Sequence, residues 1–467
     1  MSLLIVLAAL GFLMLVAYRG HSVILFAPVA AMGAVLLTDP SLVAPMFTGL
    51  FMDKMVGFLK LYFPVFVLGA VFGKLIEVSG FSRAIVAATI RVVGAQRAML
   101  SIVLVCALLT YGGVSLFVVV FAVYPFAAEL FRQGNIPKRL IPGTIALGAF
   151  TFTMDALPGT PQIQNIIPTA FFGTDTWAAP VLGTLGGIFI LAAGMAWLEW
   201  RRRKALQAGE GYGDPATLAN EPAAFTGDSL AHPLIALLPL VMVGVSNLLL
   251  TQWIPGWYGA SHSFVPAVVG DPAPVVQEVA RISAIWAVMG ALLIGIFTVL
   301  AFAWRTVAAR FAEGSKAAVG GALLASMNTA SEYGFGAVIA ALPGFLLVAN
   351  ALAAIPDPLV NEAVTVTALA GITGSASGGL SIALAAMAES FIANAQAAGI
   401  PMEVLHRVAS MASGGMDTLP HNGAVITLLA VTGLTHRQAY GDIFAITVIK
   451  TLAVFVVITL FYVTGIV

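Results

Sequence analysis

The sequence predicts an all-α polytopic membrane protein made of two inverted repeats, each carrying a re-entrant hairpin and an unwound transmembrane helix. Three observations predict it: an apolar composition, apolar runs of bilayer-spanning length along most of the chain, and a set of Gly, Pro and Asp landmarks that occurs twice in the same order.

Composition comes first. The 467 residues are 60% hydrophobic and 9% charged, against about 25% charged in a soluble domain. Water cannot solvate so apolar a surface. Continuous apolar runs at 3–18, 22–37, 61–76, 182–197, 235–250, 285–304 and 445–467 approach or reach the roughly 20 residues that cross a hydrocarbon core as helix. They lack the alternation of a barrel strand. The first run has neither a basic n-region nor a small-residue cleavage site, so it reads as a retained helix rather than a signal peptide.

Formal net charge is zero, so no global field argues for nucleic acid. The single cysteine, Cys106, excludes an internal disulfide and a cysteine metal cluster and reads as a packing residue. No His-Glu-x-x-His or Gly-x-Ser-x-Gly pattern is present, which disfavours a membrane enzyme; no cofactor is expected.

Charge position gives orientation. The one long hydrophilic stretch, residues 199–231, opens with Arg201, Arg202, Arg203 and Lys204 and divides the chain into halves 1–198 and 232–467. Basic flanks mark the cytoplasmic side. Counting crossings outward then places Arg83, Arg91 and Arg97, Arg132, Lys138 and Arg139, Arg305, Arg310 and Lys316, and His436 and Arg437 inside. The segment 252–278, which lacks Lys and Arg, and the acidic 355–362 fall outside. An odd number of crossings per half inverts the halves. Lys54 and Lys60 fit poorly, leaving the topology of residues 42–60 open.

The repeat fixes the architecture. Gly112-Gly113-Val114-Ser115, Ile136-Pro137 and Asp155-Ala156-Leu157-Pro158 return as Gly378-Gly379-Leu380-Ser381, Ile400-Pro401 and Asp417-Thr418-Leu419-Pro420. The offsets are 266 (378 − 112), 264 (400 − 136) and 262 (417 − 155). A weaker upstream match pairs Ser79-Gly80-Phe81 with Tyr333-Gly334-Phe335. The apolar stretches 101–130 and 364–395, punctuated by Gly and Ser, suit half-helices joined at a tip, with Gly374 to Gly379 at the second tip; Gly allows the turn and Ser satisfies nearby backbone. Segments 141–172 and 404–434 exceed a single span and hold Asp-x-Leu-Pro at their centres, where proline removes an amide donor and unwinds the helix. Singly, such features more often mean close helix packing or a kink. Paired by repeat, they point to a midplane transport site.

On these residues the chain resembles the gluconate:proton symporter (GntP) family of bacterial permeases, within the ion transporter superfamily. The likeness rests on Gly112-Gly113-x-Ser115, Asp155-x-x-Pro158-Gly-Thr160-Pro-Gln162, Asn165, Gly378-Gly379-x-Ser381 and Asp417-x-x-Pro420-His421-Asn422, and runs from about residue 61 to the end. The superfamily's dicarboxylate branch carries Ser-Asn-Thr at its hairpin tips; this chain does not, which favours protons over sodium. The resemblance implies a homodimer in the bacterial inner membrane. It also implies static scaffold helices, about 1–98 and 232–360, around a moving domain of hairpins and broken helices, about 99–198 and 361–467. It implies a small hydroxy-monocarboxylate substrate such as gluconate or 3-hydroxybutyrate.

A carboxylate in the membrane needs donors and positive potential, which helix N-termini supply. Gly113, Ser115, Ser377, Gly379 and Ser381 at the tips, Thr160 and Thr418 at the breaks, and Gln162, Asn165, His421 and Asn422 are the expected substrate contacts; capping of the broken ends is the competing role. Intramembrane ionisable groups are functional candidates by default. Asp417 and His421, then Asp155, are the expected proton carriers, with ionised capping as the alternative. Lys74 with Glu77, Glu129, Glu332, Glu389 and Lys450 read more simply as packing or pairing groups. The alternative function is a cation/proton antiporter without organic substrate.

Overall fold

The computed structural model describes residues 2–19, 21–94, 97–215, 217–222, 231–266, 273–353, 355–420 and 422–467. The apolar runs become helices, because a spanning segment must satisfy its backbone internally. The first are α1, Ser2–Tyr18, and α2, Val23–Thr38. Residues 42–60, where the charge map fits poorly, begin one 39-residue helical run, Pro40–Val78. It consists of a 3-10 turn, the single turn α3 (Val43–Pro45), a π stretch Met46–Phe51 and α4 (Met52–Val78). α5 spans Phe81–Val93.

The first hairpin follows as α6 (Ala98–Tyr111) and α7 (Leu116–Gln133). A helix broken into α8 (Ile141–Ala149), α9 (Phe152–Asp155) and α10 (Ile163–Phe172) comes next, then the long α11 (Pro180–Gln207). The second half opens with α12 (Pro233–Tyr258), a two-stranded antiparallel ribbon of β1 (His262–Phe264) and β2 (Val275–Gln277), α13 (Val279–Ala308), α14 (Phe311–Ala340) and α15 (Pro343–Ala353). The series then repeats: hairpin α16 (Pro358–Thr373) and α17 (Ala376–Ala397), broken helix α18 (Met402–Ser413) and α19 (Gly423–Thr432), and long α20 (His436–Thr464). Among the described residues, six helical runs are long and apolar enough to cross a bilayer. The chain is an all-α polytopic membrane protein.

Two local expectations are corrected. Ser79 and Gly80 form the turn between α4 and α5, with Gly80 at φ +77°, whereas Gly334 lies inside α14. The upstream pair therefore joins a turn glycine to a packing glycine. The second hairpin turns at Gly374, φ +65°, and Ser375, whose hydroxyl accepts from the Gly378 amide at 3.0 Å. Gly378, Gly379 and Ser381 instead lie within α17. The tips Gly112 and Gly374 are thus 262 residues apart (374 − 112), the same offset as the two aspartates.

Packing follows the repeat. α6 lies on α8 and α16 on α18, so each hairpin leans on the broken helix of its own half; α10 crosses to α18, α8 to α20, and α11 pairs with α20. α4 and α14 form a second pair, flanked by α13 and then α12. The interhalf linker docks at one end. Arg139 Nε and Nη2 donate to Glu210 at 2.6 and 2.7 Å, Lys138 Nζ to the Ala219 carbonyl at 2.6 Å, and Asn220 Nδ2 to the Ala430 carbonyl at 2.7 Å. Arg139 holds the Glu210 carboxyl below the usual carboxylate range.

A crossing of two broken helices

The first break frees the backbone from Phe150 to Gln162, apart from the single turn α9. Pro158 has no amide and Gly159 takes φ +75°, so the helix cannot continue there. Local side chains and neighbouring loops satisfy much of the freed backbone, as buried polar groups require. Thr160 Oγ1 donates to the Thr153 carbonyl (2.8 Å), and the Gly159 amide to Thr176 O (2.8 Å). Asn165 Nδ2 donates to Thr160 O (3.0 Å) and Thr176 O (2.8 Å), and Asn247 Nδ2 reaches Gly159 O (3.1 Å).

The second break runs from Gly414 to Asn422. Asn422 caps α19, its Oδ1 accepting from the amides of Ala424 (2.6 Å) and Val425 (3.0 Å), and its Nδ2 donates to Gly374 O at the hairpin tip (2.8 Å). Thr418 Oγ1 lies 2.7 Å from Thr447 Oγ1, and Tyr440 donates to Thr418 O at 3.2 Å. His421 lies outside the described residues.

The two breaks meet. Arg407, fully buried on α18, donates from Nη1 to Asp155 O (3.0 Å) and Asn165 Oδ1 (3.0 Å), and from Nε and Nη2 to Ala178 O (3.1 and 2.7 Å). Ser410 adds a bond to Asp155 O (2.8 Å). His406 spans Asn165 Oδ1 (3.2 Å) and Thr174 Oγ1 (2.6 Å) through its two ring nitrogens. The Asp155 carboxylate reaches across to Gly414, and Lys450 of α20 ties both breaks by pairing with Asp417 and donating to Phe150 O (3.1 Å). Asp155 feels Lys450, Arg407 and Asp417 electrostatically, and its Oδ1 is buried without a hydrogen-bond partner.

Each tip closes on its own break. Tyr111 OH donates to Pro158 O (2.8 Å), Gln162 Nε2 to Thr110 O (2.7 Å), and Gly113, at φ +95°, lies against Pro161. In the second half Asn422 meets Gly374, and Thr367 Oγ1 donates to Ala412 O (3.1 Å). Of the expected contacts, Asp155, Thr160, Gln162, Asn165, Asp417, Thr418 and Asn422 are in the breaks or border them, and Gly113 is at a tip. Ser115 is half-buried beside the tip, near Gly73 of α4. Three of the others face elsewhere. Gly379 packs against Ala370 in the partner arm, Ser377 against Thr329 of α14 (3.2 Å), and Ser381 is buried with no partner for its hydroxyl.

The crossing therefore holds two carboxylates and two cations in a low-dielectric setting, beside the N-terminal ends of α10 and α19. Such a cluster can accept a proton at Asp155 Oδ1 and present positive potential to an anion. His406 and Arg407 were not singled out in the sequence; two adjacent ionisable residues inside the long segment 404–434 were the available signal. Lys74 pairs with Glu77 at 2.8 Å, Glu129 with Arg132 at 3.2 Å, and Cys106 is buried among apolar side chains. Surface depressions of about 350 and 260 Å³ open elsewhere, beside Pro358 and Asn394 and beside Glu199 and Trp200.

No protein-family model matches the chain. In structure it is similar to the YdaH transporter of Alcanivorax borkumensis, described as having an unusual topology, with a TM-score of 0.47 and 15% identity over 92% of this chain and 90% of that one. In sequence it is 60% identical over 474 aligned residues, covering 100% of both chains, to the uncharacterized transporter YxjC of Bacillus subtilis (strain 168). The protein belongs to the family of YxjC, a family of multi-pass membrane transporters.

Proposed function

We propose that this transporter is a secondary active permease of the bacterial inner membrane, carrying a small hydroxy-monocarboxylate with protons by an elevator-type mechanism. In this reading the hairpins and broken helices move against scaffold helices of a homodimer. The observation that carries it is the buried meeting of Asp155, Asp417, Lys450 and Arg407 where both unwound segments cross. Charges are retained at membrane depth at a cost of several kcal/mol each unless paired. An unpartnered Asp155 oxygen gives a proton somewhere to go, and protonation frees positive potential for a substrate carboxylate. The gluconate:proton symporter resemblance supports the same substrate class.

The test is uptake of radiolabelled gluconate, lactate and 3-hydroxybutyrate by proteoliposomes under an imposed pH gradient. Accumulation driven by the proton gradient is expected for at least one acid. Uptake that follows sodium and ignores protons would sink the coupling. The Lys450–Asp417 ion pair favours a second reading, a cation/proton antiporter, because a cation could displace Lys450 from the carboxylate. Proton-for-cation exchange with no stabilisation by any acid would select it.

A further inference from the structure

Glu332 lies in α14, outside the crossing, and is 3% exposed. Its carboxylate rests on the returning arm of the second hairpin: a Cβ on Gly378 would collide with Oε2, so only glycine admits the acid there. Four residues further along both helices Gly336 meets Ile382, and one turn earlier Thr329 Oγ1 lies 3.2 Å from Ser377 Oγ. α14 and α17 thus run side by side in one direction, with Glu332 between two contacts that fasten them.

Glu332 Oε2 is buried with no hydrogen-bond partner, and the hydroxyls of Ser331 and Ser381 on the two helices are also unpartnered. Among the described residues no cation pairs with Glu332. Lys74 of α4 is engaged by Glu77 and Tyr62 donates to Ile167 O. Tyr333 adjoins it in sequence. Asp53, Lys54 and Lys60 of α4, Arg281 and Arg305 of α13, and Glu389 of α17 form no ion pair or hydrogen bond with it. Among the described residues, no acid is so placed beside the first hairpin. There α4 offers Gly73 to the tip, with Phe72 and Leu292 beside Gly113. An ionised carboxylate so placed costs several kcal/mol, and a bound proton removes that cost.

We infer that Glu332 is a proton-binding residue at the seam between α14 and the second hairpin, and that losing the proton unseats α17 from α14. The inference deepens the proposed transport reading, on which the second hairpin moves; both tests below need no substrate, so they decide on Glu332 whether or not symport is found. In infrared pH-difference spectra of the purified protein in lipid nanodiscs, a protonated carboxyl C=O component from Glu332, separate from any given by the buried acids Asp155 and Glu362, is expected near neutral pH. It is lost at higher pH, missing in Glu332→Gln, and missing or displaced in Gly378→Ala, whose methyl occupies the carboxylate's place. Identical spectra for the wild type and Glu332→Gln would overturn the assignment, as would a band removed by sodium at constant pH.

In a Cys106→Ala background, cross-linking of Thr329→Cys to Ser377→Cys reads the seam directly. Raising the pH is expected to lower the yield several-fold relative to the same pair carrying Glu332→Gln. A ratio that does not change with pH would overturn the unseating.

Discussion

The Asp155 carboxylate occupies the space that a side chain on Gly414 would need: a Cβ there would collide with Oδ2. Two breaks 259 residues apart (414 − 155) are thus fitted atom to atom, one supplying an acid and the other the vacancy for it.

Gly414→Ala should displace that carboxylate and cost about 1–3 kcal/mol, the range for overpacking a filled interior. Asp155→Ala should cancel much of the cost in the double variant, since touching residues couple. Denaturant unfolding of the four proteins in detergent checks it; simple additivity would mean that the two residues do not meet.

Lys450→Met leaves Asp417 buried without its cation, and breaking a buried pair from one side costs about 3–5 kcal/mol. Adding Asp417→Asn removes the stranded charge and should recover most of the loss. The midpoint of thermal aggregation reads both, and a double variant no better than Lys450→Met would contradict the pairing.

Arg407→Lys should behave as a loss, because one ammonium cannot reproduce a planar fork that serves Asp155 O, Ala178 O and Asn165 Oδ1 together. Hydrogen exchange at residues 156–162 should rise by at least tenfold, while α12 and α13 remain protected. Unchanged exchange in the first break would show that another group holds it.

The linker should respond to acid. Arg139 keeps the Glu210 carboxyl ionised below its ordinary range, so the folded value is the depressed one. The stabilisation is complete above the unfolded value of about 4.3 and fades as pH falls through the folded value. Amide exchange across residues 208–222, corrected for its intrinsic pH dependence, should accelerate below about pH 4; Glu210→Gln should show fast exchange at neutral pH as well.

Membrane class, helix positions and the two breaks were legible because their signals are local. An apolar run must hide its own backbone, and Asp155-x-x-Pro158 and Asp417-x-x-Pro420 lie at the centres of segments too long for a single span, where the helices do break. The second tip was legible only to within a few residues. Gly374 serves by its positive φ and Gly378 and Gly379 by their lack of a side chain, and a bare sequence does not separate these two uses of glycine.

What the sequence by itself determined is the list of parts: apolar spans, two punctuated hairpins, two interrupted helices, and the order that repeats them. Only the tertiary structure decided which groups meet. Arg407 reaches Asp155 O across 252 residues, Lys450 reaches Phe150 O across 300, and Glu332 lies against Gly378 through the parallel run of α14 and α17. These pairings depend on helix packing over distances at which local propensity carries no information. The low dielectric between the helices is what makes each of them matter, since a charge placed there must find a partner, a proton or water.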